Sequence, residues 1–179
     1  MSQAAKTILR ATLLDRRRWI DPAARLLWDA ALCGRVLDWW KVHPVSPLGI
    51  YWPMRGEPDL RPAYEALAAA GAQLALPVTA RSDEPLCFAQ WMPGDVLVKD
   101  GMGVSVPLNA QKIIPGALLI PCVGFNAGRF RLGYGGGFYD RTLALPSRPL
   151  AIGIAYSCLE AQFDSDPHDV AMDQIITEK

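Results

Sequence analysis

The residues whose types and spacing carry the most chemistry lie in "RLGYGGGFYDR", positions 131–141. Four glycines (Gly133, Gly135, Gly136 and Gly137) fall within five positions, flanked by Arg131, Asp140 and Arg141. A tight turn needs one glycine, or two. Four beside so much charge describe a backbone that lies close against an anion, because glycine admits positive φ and lets N–H groups converge. The segment is neither the G-x-x-x-x-G-K-[ST] phosphate loop nor the G-x-G-x-x-G dinucleotide fingerprint. Spacing alone leaves a second reading open, a tight turn with glycines for packing. The neighbours favour the phosphate. Arg131 offers a planar fork matched to phosphate oxygens. Asp140, in the first turn of the helix predicted to follow, is placed to hold Mg²⁺, an ion that takes one or two carboxylates plus substrate phosphates.

Two further clusters qualify as candidates. Lys6 and Arg10 are i,i+4 neighbours on the first predicted helix, so both can reach one anion. A solvated helix face explains such a stripe equally well, but no acidic residue stands four positions from either cation. In the tail "DSDPHDVAMDQIITEK", Asp164, Asp166 and Asp169 read as solvated loop charges and His168 as a polar loop residue. Asp173 differs, because it directly precedes the apolar "QII" and so falls where a strand begins, near a sheet edge.

The elements that must position these groups alternate along the chain. Ser2 caps a helix running to about Trp19, in which Ala5, Ile8, Leu9, Thr12 and Trp19 share one face and Lys6, Arg10 and Arg17 another. "DP" at 21–22 restarts a helix over "AARLLWDAALCGRVLDWW", with an interruption possible at Gly34. Strands are expected at 47–53, 72–78, 86–91, 116–125 and 149–156, and helices at 58–71 and from Phe138 onward. Residues 79–115 break the alternation and read as a mixed or antiparallel excursion within the domain. Short apolar strands separated by helices predict a single three-layer α/β domain over 1–179. Its sheet is mixed but mostly parallel, Rossmann-like, with helices on both faces.

Composition narrows the function classes. The chain has 179 residues, 51% hydrophobic and 20% charged, with a formal net charge of zero. No global field recruits nucleic acid or an anionic membrane, so any basic site is local. The charged N-terminus lacks the apolar core of a secretion signal, and no apolar run approaches the roughly eighteen residues of a membrane span; a cytoplasmic protein is expected. Cys33, Cys87, Cys122 and Cys158 are scattered without a C-x-x-C, which predicts free buried thiols and no zinc site.

Together "LLIPCVGFNAGRFRLGYGGGFYDRTLA", "HDVAMDQIITEK", "KTILRATLLDRRR", "YWP" with "GE" and "DL" at 51–60, and "ALPV" at 75–78 make the chain resemble the 5-formyltetrahydrofolate cyclo-ligase, or methenyltetrahydrofolate synthetase, family nearly end to end. The resemblance implies closure of 5-formyltetrahydrofolate to 5,10-methenyltetrahydrofolate with ATP and Mg²⁺, releasing ADP and phosphate, through phosphorylation of the formyl oxygen and ring closure by N10. Carried over, it makes Lys6, Arg10 and the loop Arg131, Leu132, Gly133, Tyr134, Gly135, Gly136, Gly137, Phe138 and Tyr139 the ATP site. Trp52, Glu57 and the stretch from Tyr134 to Phe138 border the folate, and Asp140 and Asp173 hold the metal. The implied partners are small molecules only, ATP and a reduced folate. Asn126 and Val106 stand where the family often carries aspartate and glutamate. Two other readings remain: a paralogue activating a different formyl or amide substrate, and a folate- or nucleotide-binding protein without turnover.

Overall fold

The computed structural model describes residues 1–79, 83–101, 103–108 and 111–179. Two N-caps start the chain as the sequence predicts. In α1 (Gln3–Arg18) the Ser2 hydroxyl accepts the Ala5 N–H at 3.2 Å; in α2 (Pro22–Val42) the Asp21 carboxylate accepts the N–H groups of Ala23 and Ala24 at 3.0 Å. Caps of this kind contribute about 1 kcal/mol each. Helix α2 passes through Gly34 without interruption.

Six strands form the main sheet: β1 (Leu48–Gly49), β2 (Leu74–Val78), β3 (Cys87–Trp91), β6 (Ala117–Pro121), β9 (Leu150–Ile154) and β10 (Gln174–Ile176). Their order is β10-β9-β6-β1-β2-β3, and every pair is parallel except β2 with the edge strand β3. The sheet is thus mixed and mostly parallel, as expected. Side chains alternate across it. Ala117 and Leu119 of β6 enter a core with Leu13 of α1, Leu32 and Val36 of α2, and Leu67 of α3 (Arg61–Ala69). Leu118 and Ile120 point the other way, toward Leu143 of α4 (Phe138–Leu143) and Met172. Helices cover both faces, but unequally: three on one side, one six-residue helix on the other.

Several expectations shift in detail. The strand at 47–53 pairs only over Leu48–Gly49, and the chain then leaves the sheet, with Tyr51, Trp52, Met54, Arg55 and Glu57 lining a cavity. The helix expected from 58 begins at Arg61, with Pro62 in its first turn. The strand at 116–125 divides: after Pro121 the chain departs and pairs again as β7 (Gly124–Phe125) with β8 (Arg131–Leu132). The excursion at 79–115 supplies the antiparallel edge β3 and the hairpin of β4 (Leu97–Lys99) with β5 (Ser105–Pro107); its "RSDEP" and "GMG" signals fall partly outside the described residues.

The largest reversal concerns α1. Ile8 and Trp19 lie exposed at 68% and 77%, while Lys6, Leu13 and Arg17 are buried. The cationic stripe faces inward because its hydrogen-bond partners lie on other elements, which helical spacing alone does not reveal. All four cysteines are free; Cys33 and Cys122 are buried and Cys87 and Cys158 half-buried. Among the described residues no helix is long and apolar enough to cross a membrane.

Candidate active site

A cavity of about 530 Å³ opens where β1, β2 and β6 end, bordered by Tyr51, Thr79 and Pro121. Ligands of open α/β sheets settle at the carboxyl ends of the strands, where loops diverge. Helix α1 forms one wall through Lys6 and Arg10, the glycine loop forms another, and the segment from Tyr51 to Glu57 closes the far end.

The polar end is built from cations that already have partners. Lys6, its side chain only 3% exposed, sets its ammonium 2.7 Å from Asp166 and 3.2 Å from Asp169. Burial alone would lower the Lys6 pKa; hydrogen bonds to the two aspartates outweigh it and the net shift is upward. Arg10 Nε donates to the Gly133 carbonyl at 2.9 Å and has no carboxylate partner among the described residues. Arg131, nearly buried, donates to Asp140 Oδ2 at 2.8 Å and lies 5.3 Å from the Tyr139 ring centroid. Asp140 Oδ1 has no hydrogen-bond partner among the described residues. Among the described residues, Lys6, Arg10, Arg55 and Arg131 line the cavity with Glu57, Asp140, Asp166 and Asp169, four charges of each sign.

The glycine loop leaves β8 and ends as the start of α4. Gly135 sits at φ 96° and Gly137, the N-cap residue, at φ 66°, in the left-handed region that side chains with a Cβ avoid. A Cβ on Gly137 would stand 2.7 Å from Arg141 Nη1. With six residues α4 adds little macrodipole, so any attraction for an anion rests on loop N–H groups and the cations. Leu132 turns into the main core while Phe138 and Tyr139 border the cavity.

The other end is aromatic around one buried acid. Glu57 is 5% exposed; its Oε2 accepts the Met54 N–H at 2.9 Å and its Oε1 accepts the Tyr134 hydroxyl at 2.8 Å. Burial pushes the Glu57 carboxyl up, opposed by those two hydrogen bonds and by the charges of Arg17 and Arg55. Burial also pushes the Tyr134 hydroxyl well up. Trp52 lies edge-on to Trp91 at 5.7 Å between centroids. Lys6, Arg10, Trp52, Glu57, Asp140 and the loop from Arg131 to Tyr139 therefore meet in one cavity.

Asp173 does not join them. It precedes β10, beside the amino end of β9, where Arg148 grips both its oxygens at 2.8 and 2.9 Å and the Ala151 N–H donates to it at 2.7 Å. It does not border the cavity, and its carboxylate is fully engaged in tying β10 to β9. Asp173 and Asp140, expected together at the metal, are therefore not brought to one cavity: Asp140 borders it and Asp173 lies at the amino end of β9. Conversely, Asp166 and Asp169 are not merely solvated charges, since they clasp Lys6. Their i,i+3 spacing carried no hint of a lysine 160 or more residues away. Arg17, read only as part of a stripe, bonds to Tyr134, and Arg55 lies over the same ring. Asn126 and Val106 both lie away from the cavity: Asn126 braces the β7–β8 turn through the Phe130 N–H and Phe163 carbonyl, and Val106 is buried in β5.

Comparison with known proteins matches residues 2–178 to the 5-formyltetrahydrofolate cyclo-ligase family. The chain is similar to the 5-formyltetrahydrofolate cyclo-ligase of Mycolicibacterium smegmatis, 33% identical over 100% of this chain and 96% of that one. It is 28% identical to the Escherichia coli K12 protein of the same name over 91% and 94% of the two chains. Among solved structures, a 5,10-methenyltetrahydrofolate synthetase from Mycoplasma pneumoniae superposes with a TM-score of 0.81 at 26% identity, covering 97% of this chain and 99% of that one. Sequence, fold and cavity agree: the chain belongs to the 5-formyltetrahydrofolate cyclo-ligase family.

Proposed function

We propose that this protein closes 5-formyltetrahydrofolate to 5,10-methenyltetrahydrofolate with ATP, releasing ADP and phosphate. The observation that carries the reading is one cavity with two chemically distinct ends, a cationic glycine-loop end and an aromatic end around buried Glu57. A formyl oxygen is a poor leaving group as hydroxide; ATP, with Mg²⁺ shielding its phosphates, supplies the phosphoryl group that makes that oxygen leave as phosphate when N10 closes the ring.

The chain's own residues position and neutralise. Arg10, which has no carboxylate partner among the described residues, and Lys6 take phosphate oxygens from the α1 wall, and the N–H groups from Gly133 to Gly137 take others. Arg131 holds Asp140 through Oδ2, and Asp140, which borders the cavity, would hold the metal together with phosphate oxygens. The donor set fits Mg²⁺, because a charge-balanced lining cannot by itself neutralise a triphosphate. Glu57 accepts from pterin N–H groups and Trp52 and Phe138 offer aromatic faces to the ring. Enclosing the reacting atoms between the two ends supplies proximity, the main requirement of phosphoryl transfer.

The test is the rise of methenyl absorbance in the near ultraviolet when purified protein meets 5-formyltetrahydrofolate, ATP and Mg²⁺. A rise that disappears without ATP or with EDTA supports the reading. A flat trace from folded protein that still binds ATP overturns it in favour of another formyl substrate.

A further inference from the structure

Arg17 is a fully buried guanidinium, 0% exposed, and forms no salt bridge among the described residues. Its hydrogen bonds go to neutral oxygens: the Cys122 carbonyl at 3.3 Å, the Arg55 carbonyl at 3.0 Å and the Tyr134 hydroxyl at 2.6 Å. Its Nε has no hydrogen-bond partner among the described residues. Burying an unpaired charge is costly, and a leucine or methionine would fill the α1 face at less cost. Core packing alone therefore does not account for an arginine here.

The polarity of the network supplies an account. A guanidinium only donates, so the Tyr134 oxygen accepts from Arg17 and its one proton points to Glu57 Oε1. The Met54 N–H also only donates, to Oε2. Each oxygen of Glu57 thus receives a donor fixed by the protein, an arrangement made for a carboxylate. One lone pair on each oxygen remains for a ligand that presents adjacent N–H groups. The same guanidinium also holds the Arg55 carbonyl, at a residue with φ 50°, so it braces both the turn carrying Glu57 and the loop carrying Tyr134. Arg10, seven residues earlier on the same helix, holds Gly133. Two arginines of α1 therefore anchor two consecutive residues of the glycine loop.

We propose that Arg17 is a positioning residue of this cavity: through the Tyr134 hydroxyl it fixes Glu57 as an ionised double acceptor for the amide and amino N–H groups of a pterin-like ring. This rests on the reduced-folate reading above. Among the described residues, the titratable and charged groups facing Glu57 are Arg17 from α1, Arg55 from its own turn, Tyr134 from the glycine loop, Cys122 after β6, and Tyr51, Tyr64 and Tyr139 from the surrounding elements. Only the two arginines carry charge at neutral pH.

The experiment measures dissociation constants for 5-formyltetrahydrofolate without nucleotide, and separately for ATP, in the wild type, Tyr134→Phe, Arg17→Met and the double variant, between pH 5 and 8 with melting temperatures alongside. Each single variant is expected to weaken folate by about tenfold and ATP by much less, since the backbone N–H groups of the loop are kept, and the double variant to be no weaker than Arg17→Met, because both break one chain of bonds. In Arg17→Met the loss of folate affinity with falling pH begins at higher pH than in the wild type, since Glu57 has lost a neighbouring cation. Arg17→Lys, which keeps the charge, restores the wild-type pH profile. Should Arg17→Met fail to fold, Tyr134→Phe carries the comparison, because it deletes only the bridging hydroxyl. Melting temperatures that fall while folate affinity stays within about twofold of wild type would make Arg17 a structural residue and overturn the proposal, as would additive losses. A wild type that binds no reduced folate overturns the functional reading and this inference together; a wild type that binds, with unaffected variants, overturns this inference alone.

Discussion

Asp173→Asn separates the tertiary structure from the family resemblance, because the resemblance makes Asp173 a metal ligand while the structure makes it a fastener between β9 and β10. The substitution removes the charge from a two-point pair with Arg148, whose partners are 38% and 30% exposed. Exposed ion pairs contribute about 0.2–1 kcal/mol. It also replaces a charged acceptor for the Ala151 N–H by a neutral one, which costs about 1 kcal/mol more. The sum, about 1–2 kcal/mol, corresponds to a melting temperature lower by about 2–8 °C for a chain of this size. The loss depends on pH with a definite sign. Hydrogen bonding to Arg148 holds the Asp173 carboxyl below the ordinary aspartate value of 3.8, so its stabilisation is present above that pH and disappears as pH falls through the lower folded value. The gap between variant and wild type is therefore widest at neutral pH and closes in acid. Thermal melts followed by tryptophan fluorescence from pH 2.5 to 7 measure it, and methenyl formation against Mg²⁺ concentration measures catalysis. Turnover and Mg²⁺ dependence within about twofold of wild type are expected. An unchanged melting temperature with a hundredfold fall in turnover or a large shift in Mg²⁺ dependence would refute the assignment and return Asp173 to the metal.

Asp140→Asn is expected to lower turnover by about a hundredfold or more with the fold intact by circular dichroism, since it removes the carboxylate charge paired with Arg131 in a site that must stabilise phosphate and metal; near-normal turnover would remove Asp140 from both roles. Lys6→Met should raise the KM for ATP about tenfold. Because the Lys6 pKa is raised in the fold, its stabilising contribution is complete below 10.5 and lost as pH climbs through the folded value; the variant's urea midpoint should lack that alkaline decline. Gly137→Ala places a Cβ at φ 66° and 2.7 Å from Arg141, so a loss of about 1–3 kcal/mol in urea unfolding is expected together with weaker ATP binding; full stability would show that the loop can relax at no cost.

Local features were legible because their causes are local. Ser2 and Asp21 cap helices through groups two or three residues away, and four glycines in five positions state a backbone requirement that Gly135 and Gly137 meet with positive φ. The strand of "QII" and the antiparallel excursion after Val78 follow from apolar runs and their punctuation. The short pairing of β1 was not legible: "PLGIYWP" is apolar throughout, yet only two residues pair, while Tyr51 and Trp52 line the cavity. Hydropathy does not distinguish an apolar residue buried in a sheet from one lining a site.

By itself the amino-acid sequence determined the class of fold, the positions of the helix caps, the glycine-dependent turn within residues 131–141 and the family. Each depends on neighbours within about a turn or on patterns of residue type. Tertiary structure alone decided which charges meet. Lys6 found Asp166 and Asp169 across the whole chain, Asp173 went to Arg148 instead of Asp140, and Arg17 turned inward to hold Tyr134 against Glu57. The reason is physical: a salt bridge or buried hydrogen bond acts over a few ångströms in space, and separation along the chain carries no information about it until the sheet brings the loops together.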